Sequence, residues 1–404
     1  MADRVTVIGW DGTPLTAAAL SALGAATLVA GARHHLALPD VPADAERVLL
    51  GSIDLAARRI AAHRGTAVVL ADGDPGYFGV VRALRKPEHG LEVEVVPAVS
   101  SVAQAFARAG MPWDDARVVV AHSRTLRRAV NVVRAHPKVA VLTAPGAGPA
   151  ELALLLGGVH RTFVICEALG TEREEVTVLT SDKVADHTWR DPNVVLVIGG
   201  GSATESSGWI AGQDPGYPGE LRGWALPEER YAQEPAPGTP GAQRSAQLRA
   251  LQLARLGPRT GDLLWDIGAG SGALAVEAAR LGAAVIAVDQ DADACARITA
   301  NARRYGVQPQ VVEGAAPHVL EDLPEPDVVR VGGGGADVVA ACAARKPERI
   351  AASATTRDEA ERVGQVLAEA GYAVERALLQ SVELDEEWAE RERSTVFLLC
   401  GTRM

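Results

Sequence analysis

One stretch decides the fold of the second half of this 404-residue chain: Leu264-Trp-Asp-Ile-Gly-Ala-Gly-Ser-Gly272. An apolar strand runs directly into three glycines, and a helix-forming segment follows them. Such glycines allow a tight turn and bring a ligand close to the backbone, and the N-terminus of the next helix directs free N–H groups at it. The stretch predicts a nucleotide-like ligand at the end of a buried strand.

Asp289 ends the next predicted strand, where a carboxylate can accept hydrogen bonds from both hydroxyls of a ribose. Gly268 and Gly270, with the alanine that follows, also satisfy the relaxed pattern of dinucleotide-binding folds. NAD and a ligand-free structural turn therefore stay open as alternatives. S-adenosylmethionine (SAM) is favoured because Asp266 suits the sulfonium and amino-acid end of SAM, and Gly272 completes a Gly-x-Gly-x-Gly pattern.

Residues 301–316 are similar to the stretch that holds adenine in class I SAM methyltransferases. This resemblance implies that Gly314 and Ala315 contact the cofactor. It also places Glu313 beside the cofactor, where a carboxylate is a candidate proton acceptor.

The rest of the second half alternates predicted strands with alanine-rich helices and closes with two strands near 373–379 and 395–400. A run of strand–helix units predicts a doubly wound parallel sheet with its ligand at the carboxyl ends of the strands. We place this domain at residues 243–404. The Gly- and Pro-rich segment 206–242 is predicted to be a linker, part of which packs on a domain through its aromatic residues.

The first half also places small and polar residues at strand ends. Gly73 and Asp74 follow a buried strand, Gly9 follows the first strand, and Ser100 and Ser101 begin a helix. Taken alone, the loop around Asp74 would be an ordinary surface turn. Because several strand ends of one sheet carry such loops, we predict that these five residues form a second cofactor site.

Strand candidates in the first half come in two groups. The early strands alternate with helices, whereas those from about residue 162 onward have little helix between them. This change predicts a parallel-rich sheet followed by a more antiparallel one. Residues 1–205 are therefore predicted to form one domain with two lobes.

Several runs of the first half resemble the tetrapyrrole methylase family. Residues 95–101 and 110–116, together with 167–170 and 192–194, are similar to its precorrin-6Y methyltransferase branch. The resemblance implies an α/β fold in which two lobes hold a bent SAM molecule between them. A Rossmann-like class I SAM methyltransferase domain then follows in the same chain.

The combination implies a bifunctional enzyme of cobalamin biosynthesis that acts on a corrinoid precursor. The first domain would methylate C5, and the second would methylate C15 and remove the C12 acetate carboxyl group as carbon dioxide. Each domain would bind one SAM molecule. The alternative is C5 methylation alone, with a second domain that is degenerate or uses another methyl acceptor.

Methyl transfer to carbon needs no covalent enzyme nucleophile, and its main requirement is positioning in a water-free site. A general base can still remove a proton after the transfer. Candidate bases are His34, His35 and Asp74 in the first domain. In the second domain they are Glu313 and His318.

The pattern departs from the resembled family at several places, including the compressed opening loop around Trp10 and the tail after Lys346. Arg330 stands where the family has an apolar residue, and Arg244 and Ser245 stand where it has a Thr-Lys pair. A corrinoid carries many carboxylates, so arginines are expected in the clefts because they bind carboxylates in bidentate fashion. Arg330 is a candidate anchor of this kind, as are Arg33, Arg124 and Arg244.

Composition narrows the class of partners. The formal net charge of −11 argues against a nucleic-acid partner, because phosphate binding needs clustered Lys and Arg. The four cysteines lack metal-ligand spacing and no histidine pairs with them, so we expect reduced thiols and no bound metal. The chain shows no N-terminal leader and no apolar run that could span a bilayer. We expect a cytoplasmic protein that self-associates.

Overall fold

The computed structural model describes residues 4–199, 211–212, 223–231 and 245–404. The chain begins with a first lobe, an α/β unit built on a five-stranded sheet. Its elements are, in chain order, β1 (Arg4–Trp10), α1 (Ala17–Gly24), β2 (Leu28–Gly31), α2 (Arg33–Leu36), β3 (Glu46–Leu49), α3 (Ile53–Ala62), β4 (Ala67–Asp72), α4 (Val80–Leu84), β5 (Glu92–Val96) and α5 (Ser101–Ala109).

A second lobe follows and contains another five-stranded sheet. Its elements are β6 (Arg117–Val120), α6 (Leu126–Ala135), β7 (Lys138–Leu142), α7 (Pro149–Leu156), β8 (Thr162–Glu167), β9 (Glu175–Thr180), α8 (Ser181–Val184) and β10 (Asn193–Ile198).

The second domain contains a seven-stranded sheet. Its elements are α9 (Ala246–Leu256), β11 (Leu263–Ile267), α10 (Ala273–Arg280), β12 (Ala284–Asp289), α11 (Ala292–Arg304), β13 (Gln310–Glu313), β14 (Val328–Val331), α12 (Gly335–Ala344), β15 (Arg349–Ala354), α13 (Arg357–Glu369), β16 (Tyr372–Leu384) and β17 (Glu390–Arg403). Short 3-10 turns cover Pro87–His89, Glu228–Arg230 and His318–Asp322.

Strand order explains where ligand sites can form. The first sheet is wholly parallel in the order β3-β2-β4-β1-β5, and the second is mixed in the order β6-β7-β10-β8-β9. The third runs β13-β12-β11-β14-β15-β17-β16, with only its last strand pairs antiparallel. The order of the third sheet reverses between β11 and β14, which is where doubly wound sheets open a crevice.

Both faces of the third sheet are covered, as the apolar sequence of its strands requires. Side chains alternate along a strand, so Leu263, Trp265 and Ile267 pack on one side with the apolar residues of α12 and α13. Leu264 packs on the other side with α9 and α10. Ser245 caps the start of helix α9, because its hydroxyl accepts a hydrogen bond from the Leu248 N–H at 3.0 Å.

The segment 223–231 is attached to the second domain through the buried carboxylate of Glu277. Its two oxygens accept hydrogen bonds from the N–H groups of Ala225 and Leu226, from the Tyr231 hydroxyl at 2.7 Å and from the Arg249 guanidinium at 2.9 Å. A buried carboxylate is stable only when its oxygens are satisfied in this way. The predicted packing of linker aromatic residues on a domain is confirmed for Tyr231.

The main features of the predicted architecture are confirmed. A parallel sheet comes first, a mixed sheet second, and a doubly wound sheet with a terminal strand pair third. All four cysteines are buried and unpaired. Within the described ranges, the helices lack the length and apolar character that crossing a bilayer would require. Arg244 lies outside the described residues.

Candidate active sites

A first cleft of about 180 Å³ lies between the two lobes of the first half. The first lobe contributes the carboxyl ends of β1 and β4 and the start of α5. The second lobe contributes the carboxyl ends of β7 and β8 and the start of β10. Among the residues that line it are Gly73, Ser101, Thr143 and Asn193.

Two of the predicted glycines allow the strand-end loops to cross closely. A Cβ on Gly9 would lie 2.3 Å from the carbonyl oxygen of Gly73. Gly73 itself has a φ of +61°, and a Cβ there would lie 2.8 Å from the Ser101 nitrogen. Both glycines therefore set the shape of the loops around the first cleft.

Asp11 ties together the two loops that face each other across the first lobe. One carboxylate oxygen accepts a hydrogen bond from the Thr13 hydroxyl at 2.6 Å, and the other accepts from the Val99 N–H at 3.3 Å. Burial acts to raise the pKa of Asp11, but these hydrogen bonds outweigh it and hold the pKa below its ordinary value. Asp11 is consequently a charged anchor on the rim of the cleft.

The two lobes touch most closely at a pair of glycines. A Cβ on Gly12, which has a φ of +88°, would lie 2.4 Å from the carbonyl carbon of Gly170. Nearby, Arg108 of α5 donates two hydrogen bonds to Glu174 of the second lobe, and Glu174 also accepts from the Gly170 N–H at 2.7 Å. These contacts fix the width of the first cleft.

A carboxylate and two histidines form a polar cluster in the first cleft. Asp72, at the end of β4, has one oxygen 2.8 Å from His34 Nε2 and 3.0 Å from His35 Nε2. The edge of Trp10 packs against the buried His35 ring. Burial acts to raise the pKa of Asp72, but the two imidazole hydrogen bonds outweigh it and hold the pKa well below its usual range.

The spacing of these three side chains could also hold a metal ion, since their ligand atoms lie within 4.8 Å of one another. The backbone argues for a different arrangement. The N–H of Ala32 donates to His35 Nδ1 at 3.2 Å, so neutral His35 carries its proton on Nε2 and has no lone pair to offer there. We therefore describe the cluster as a carboxylate that accepts hydrogen bonds from His34 and His35.

A second crevice opens at the carboxyl ends of β11 and β14. Gly268, Gly270 and Gly272 all have positive φ angles between 60° and 74°, which favour glycine. The opposing loop after β14 approaches so closely that a Cβ on Gly268 would lie 3.3 Å from the Gly333 nitrogen. Asn301 of α11 donates to the Ser271 carbonyl oxygen at 2.8 Å and fixes the first loop.

Asp289 lies at the carboxyl end of β12, beside this crevice. Its carboxylate accepts hydrogen bonds from the Gly270 N–H at 2.8 Å and from the Asp291 N–H at 3.1 Å. Each oxygen keeps a further lone pair, so the carboxylate can accept hydroxyl donors without leaving the loop. Glu313 is its register neighbour on β13, and Gly314 donates its N–H to the Asp289 carbonyl oxygen.

Arg330 and Asp266 form a buried ion pair on adjacent strands. The two residues are directly paired in the sheet, and Arg330 Nη1 lies 2.9 Å from Asp266 Oδ1 and 2.9 Å from the Gly268 carbonyl oxygen. Burial raises the pKa of Asp266 above its ordinary value, and Arg330 opposes that rise. Arg330 is therefore paired with Asp266 in this structure, and the contacts of Asp266 with SAM and of Arg330 with a substrate carboxylate stay predictions.

Helix α6 of the second lobe lies across the amino edge of the third sheet. Arg127 at its start pairs with Asp327, which precedes β14. Asn131 donates to the carbonyl oxygen of Gly261 before β11 at 2.9 Å, and Arg134 near its end reaches Gln310 of β13. A ten-residue helix is about 15 Å long, which matches the three strand spacings of about 4.8 Å that it crosses.

Comparison with known proteins gives the family. Residues 11–185 match the family of tetrapyrrole (corrin/porphyrin) methylases, and residues 241–386 match the precorrin methyltransferase domain. The chain is 34% identical over 370 residues to the precorrin-6Y C(5,15)-methyltransferase [decarboxylating] of Sinorhizobium sp, covering 87% of this chain and 84% of the relative. The chain belongs to the precorrin-6Y C(5,15)-methyltransferase family.

Two relatives of this family correspond to parts of the chain. The cobalt-precorrin-7 C(5)-methyltransferase of Salmonella typhimurium is 35% identical over 192 residues, covering 46% of this chain and 92% of the relative. A probable cobalt-precorrin-6B C(15)-methyltransferase (decarboxylating) of Pyrobaculum calidifontis is 36% identical over 159 residues, covering 37% of this chain and 80% of the relative. As members of this family do, the chain uses SAM to methylate carbon.

The structure brings some of the predicted residues of the first domain together and separates others. Gly73, Ser101 and His34 line the first cleft. Ser100 instead caps α5 through the Val102 N–H, and Asp74 accepts a hydrogen bond from the Gly76 N–H within its own turn. Arg33 and Arg124 are exposed residues outside the cleft lining.

Sequence reasoning missed several polar residues of the first cleft, among them Arg173 and Asp72. Arg173 lines the cleft, whereas Arg33 and Arg124, the arginines expected there, do not. Asp72 ends β4 and accepts hydrogen bonds from both histidines. A signal was present for Asp72, since a carboxylate at the end of a buried strand points into the edge where His34 was expected.

Proposed function

We propose that this chain transfers two methyl groups from SAM to precorrin-6B, at C15 with loss of carbon dioxide from the C12 acetate, and at C5. The observation that carries the proposal is that one chain has a cleft between its two lobes and, in the second domain, a reversal of strand order between β11 and β14. A relative that matches 87% of this chain is named for both positions. Each cleft would bind one SAM molecule. We also expect the chain to self-associate.

The two reactions are assigned to the domains by their family matches. Residues 1–205, which include the tetrapyrrole methylase match, would methylate C5 in the first cleft. Residues 243–404, which include the precorrin methyltransferase match, would methylate C15 and decarboxylate at the second crevice. Residues 206–242 would connect the two domains.

The names of the relatives support an order for the two steps. The C(15)-methyltransferase relative acts on a cobalt-precorrin-6B, whereas the C(5)-methyltransferase relative acts on a cobalt-precorrin-7. A chain that carries both activities would therefore use the second domain first. The first domain would then methylate a substrate that has already lost its carboxyl group.

Cofactor binding in the second crevice would rest on residues that remain available there. The Asp289 carboxylate would accept both ribose hydroxyls, and Gly314 and Ala315 would lie beside the adenine. The glycine loop at Gly268 and Gly270 would let the methionine part of SAM approach the backbone. In the first cleft, Gly9, Gly73, Asp74, Ser100 and Ser101 would shape or contact the second SAM molecule.

Positioning would supply most of the rate enhancement. Holding the sulfonium methyl in line with the ring carbon can lower the barrier by about 7–11 kcal/mol. In the first cleft, the contact of Gly12 with Gly170 and the Arg108–Glu174 pair would keep both walls at a fixed distance.

His34 is our candidate base for the C5 reaction. Asp72 can only accept hydrogen bonds when ionised, so it holds the His34 proton on Nε2 and leaves the Nδ1 lone pair to take a proton from the methylated ring. We expect His34→Ala to lower kcat for C5 methylation by about 10²–10⁴-fold with little change in SAM affinity. Single-turnover kinetics on precorrin-7 would measure this, with Arg33→Ala as the exposed neighbouring control.

Mass spectrometry of the reaction products tests the proposal as a whole. Precorrin-6B incubated with SAM and the full chain should gain two methyl groups and lose one carbon dioxide. A single added methyl without carbon dioxide loss would favour the alternative, a degenerate second domain, for which the Asp266–Arg330 pair in its crevice is the specific observation. No methyl addition by a folded, SAM-binding chain would refute the proposal.

A further inference from the structure

A cavity of about 320 Å³ lies between the second lobe and the second domain. One wall is formed near the end of α6 and the start of β8, and the other by the amino ends of β12 and β13. Asp289 lies at the opposite, carboxyl end of β12, and the glycine loop follows the carboxyl end of the neighbouring strand β11. The cavity is therefore separate from the second crevice, and it shares no lining residue with the first cleft.

Among the described residues, the charged side chains that line this cavity are all positive. Its lining includes Arg134, Arg161 and Arg303, and among the described residues that line it none is Asp or Glu. Arg161 is buried and Arg134 is half-buried, whereas Arg303 lies at the surface. In a chain with a formal net charge of −11, three arginines without a carboxylate are an unusual local concentration of positive charge.

The partners of the two inner arginines are neutral. Arg134 donates to the Gln310 side-chain oxygen at 3.3 Å and to the Leu155 carbonyl oxygen at 2.8 Å. Arg161 donates to the Gln308 side-chain oxygen at 2.9 Å and otherwise to backbone carbonyls. The guanidinium groups of Arg134 and Arg161 therefore have hydrogen-bond acceptors, but no acidic side chain neutralises their charges in these contacts.

The carboxyl end of a helix offsets part of the positive charge of these arginines. Arg161 donates to the carbonyl oxygens of Val133 and Arg134 in the last turn of α6, where the helix dipole amounts to about half a negative charge. Arg134 is offset in the same way, because it donates to the Leu155 carbonyl oxygen in the last turn of α7. Burial and the neighbouring Arg161 lower the pKa of Arg134 to about 10, so it remains charged at neutral pH.

We propose that this cavity, the interdomain anion site (Arg134, Arg161, Arg303, Gln308 and Gln310), binds a small anion with two or more acidic oxygens, either carboxylate or phosphate. Guanidinium groups bind both classes in bidentate fashion. Because the walls belong to both halves of the chain, a bound anion would also hold the second lobe against the second domain. This proposal is independent of the methyl-transfer reaction.

Titration calorimetry of the full chain tests the proposal, using inorganic phosphate and citrate as probes and sodium chloride to keep ionic strength constant. We expect at least one of the two anions to bind with one site per chain. Binding of phosphate alone would identify a phosphate site, and binding of citrate alone would identify a polycarboxylate site. Absence of binding by both anions would overturn the proposal.

Matched variants distinguish anion binding at these residues from a general effect of the protein's positive charge. Arg134→Gln should weaken binding of the anion at least tenfold, and Arg303→Gln, which changes an exposed residue, provides a second variant in case the first does not fold. Arg304 is the next residue of α11, and its side chain lies outside the cavity lining. Arg304→Gln therefore removes the same charge without changing a residue of the proposed site. Equal weakening by Arg303→Gln and Arg304→Gln would contradict the proposed site.

Discussion

Arg330→Leu is expected to lower the free energy of unfolding of the second domain by about 3–5 kcal/mol. The substitution removes the cation that faces Asp266, whose carboxylate is fully buried inside β11. A buried charge without its partner costs far more than the pair contributed, because water cannot replace the lost guanidinium. Calorimetric unfolding of the full chain would measure the loss.

The pH dependence of that loss follows from the pKa of Asp266. Burial already raises this pKa above its ordinary value and Arg330 opposes the rise, so removing Arg330 should raise it further. A carboxyl group with a folded-state pKa above its unfolded one keeps its stability at low pH and loses it as pH rises through the folded value. The Arg330→Leu chain should therefore be closer to wild type at pH 5 than at pH 8.

A double variant separates the charge effect from lost packing. Asp266→Asn combined with Arg330→Leu removes both charges, and it should recover a large part of the stability that Arg330→Leu loses. If the single and the double variants are equally unstable, the buried charge is not the cause. Measuring SAM binding by the single and the double variant would also show whether the Asp266–Arg330 pair shapes the second crevice.

The sequence was sufficient to predict the sheets and the loops, because both depend on local patterns. Apolar strands that end in glycine-rich turns produced the correct placement of Gly268, Gly270 and Asp289 at one sheet edge. The change from strands that alternate with helices to strands that follow one another closely predicted the two lobes. These signals extend over only a few residues, so they can be recognised without knowledge of the tertiary contacts.

Pairs from distant strands were harder to predict. Arg330 is expected as an anchor for a substrate carboxylate, whereas the sheet places β14 beside β11 and hence Arg330 beside Asp266. The hydrogen bonds from His34 and His35 to Asp72 join an α2 turn to a strand end, and no spacing along the chain reveals them. The docking of α6 on the third sheet depends on surface complementarity, which a single sequence does not show.

Asp289→Ala is expected to weaken SAM binding in the second crevice by at least 10²-fold. Each charge-assisted hydrogen bond to a ribose hydroxyl contributes about 1.5–3 kcal/mol, and the substitution removes two acceptors while releasing the Gly270 N–H. The variant should leave precorrin-6B unmethylated but should still methylate precorrin-7 supplied directly. Asp291→Ala removes a nearby exposed carboxylate that caps α11, and it serves as the matched control.

A mixture of two variants, each inactive at one of the two sites, tests how the intermediate moves between the sites. Helix α6 covers the amino edge of the third sheet, and the second crevice lies at the far end of strands about 17 Å long. The two sites therefore lie apart, and we expect the product of the second domain to leave the protein surface before the first cleft binds it.

Gly12→Val should disrupt the first cleft, because its side chain would clash with Gly170 at the contact that sets the distance between the two lobes. This chain alone should therefore stop at the decarboxylated, singly methylated product. Added to the Asp289→Ala chain, it should restore the doubly methylated product, with a lag that shortens as the concentration of the Asp289→Ala chain rises. If the mixture forms no final product although each chain performs its own step, the intermediate is transferred without release. In that case the sites of one chain must come closer together during turnover than the docking through α6 allows.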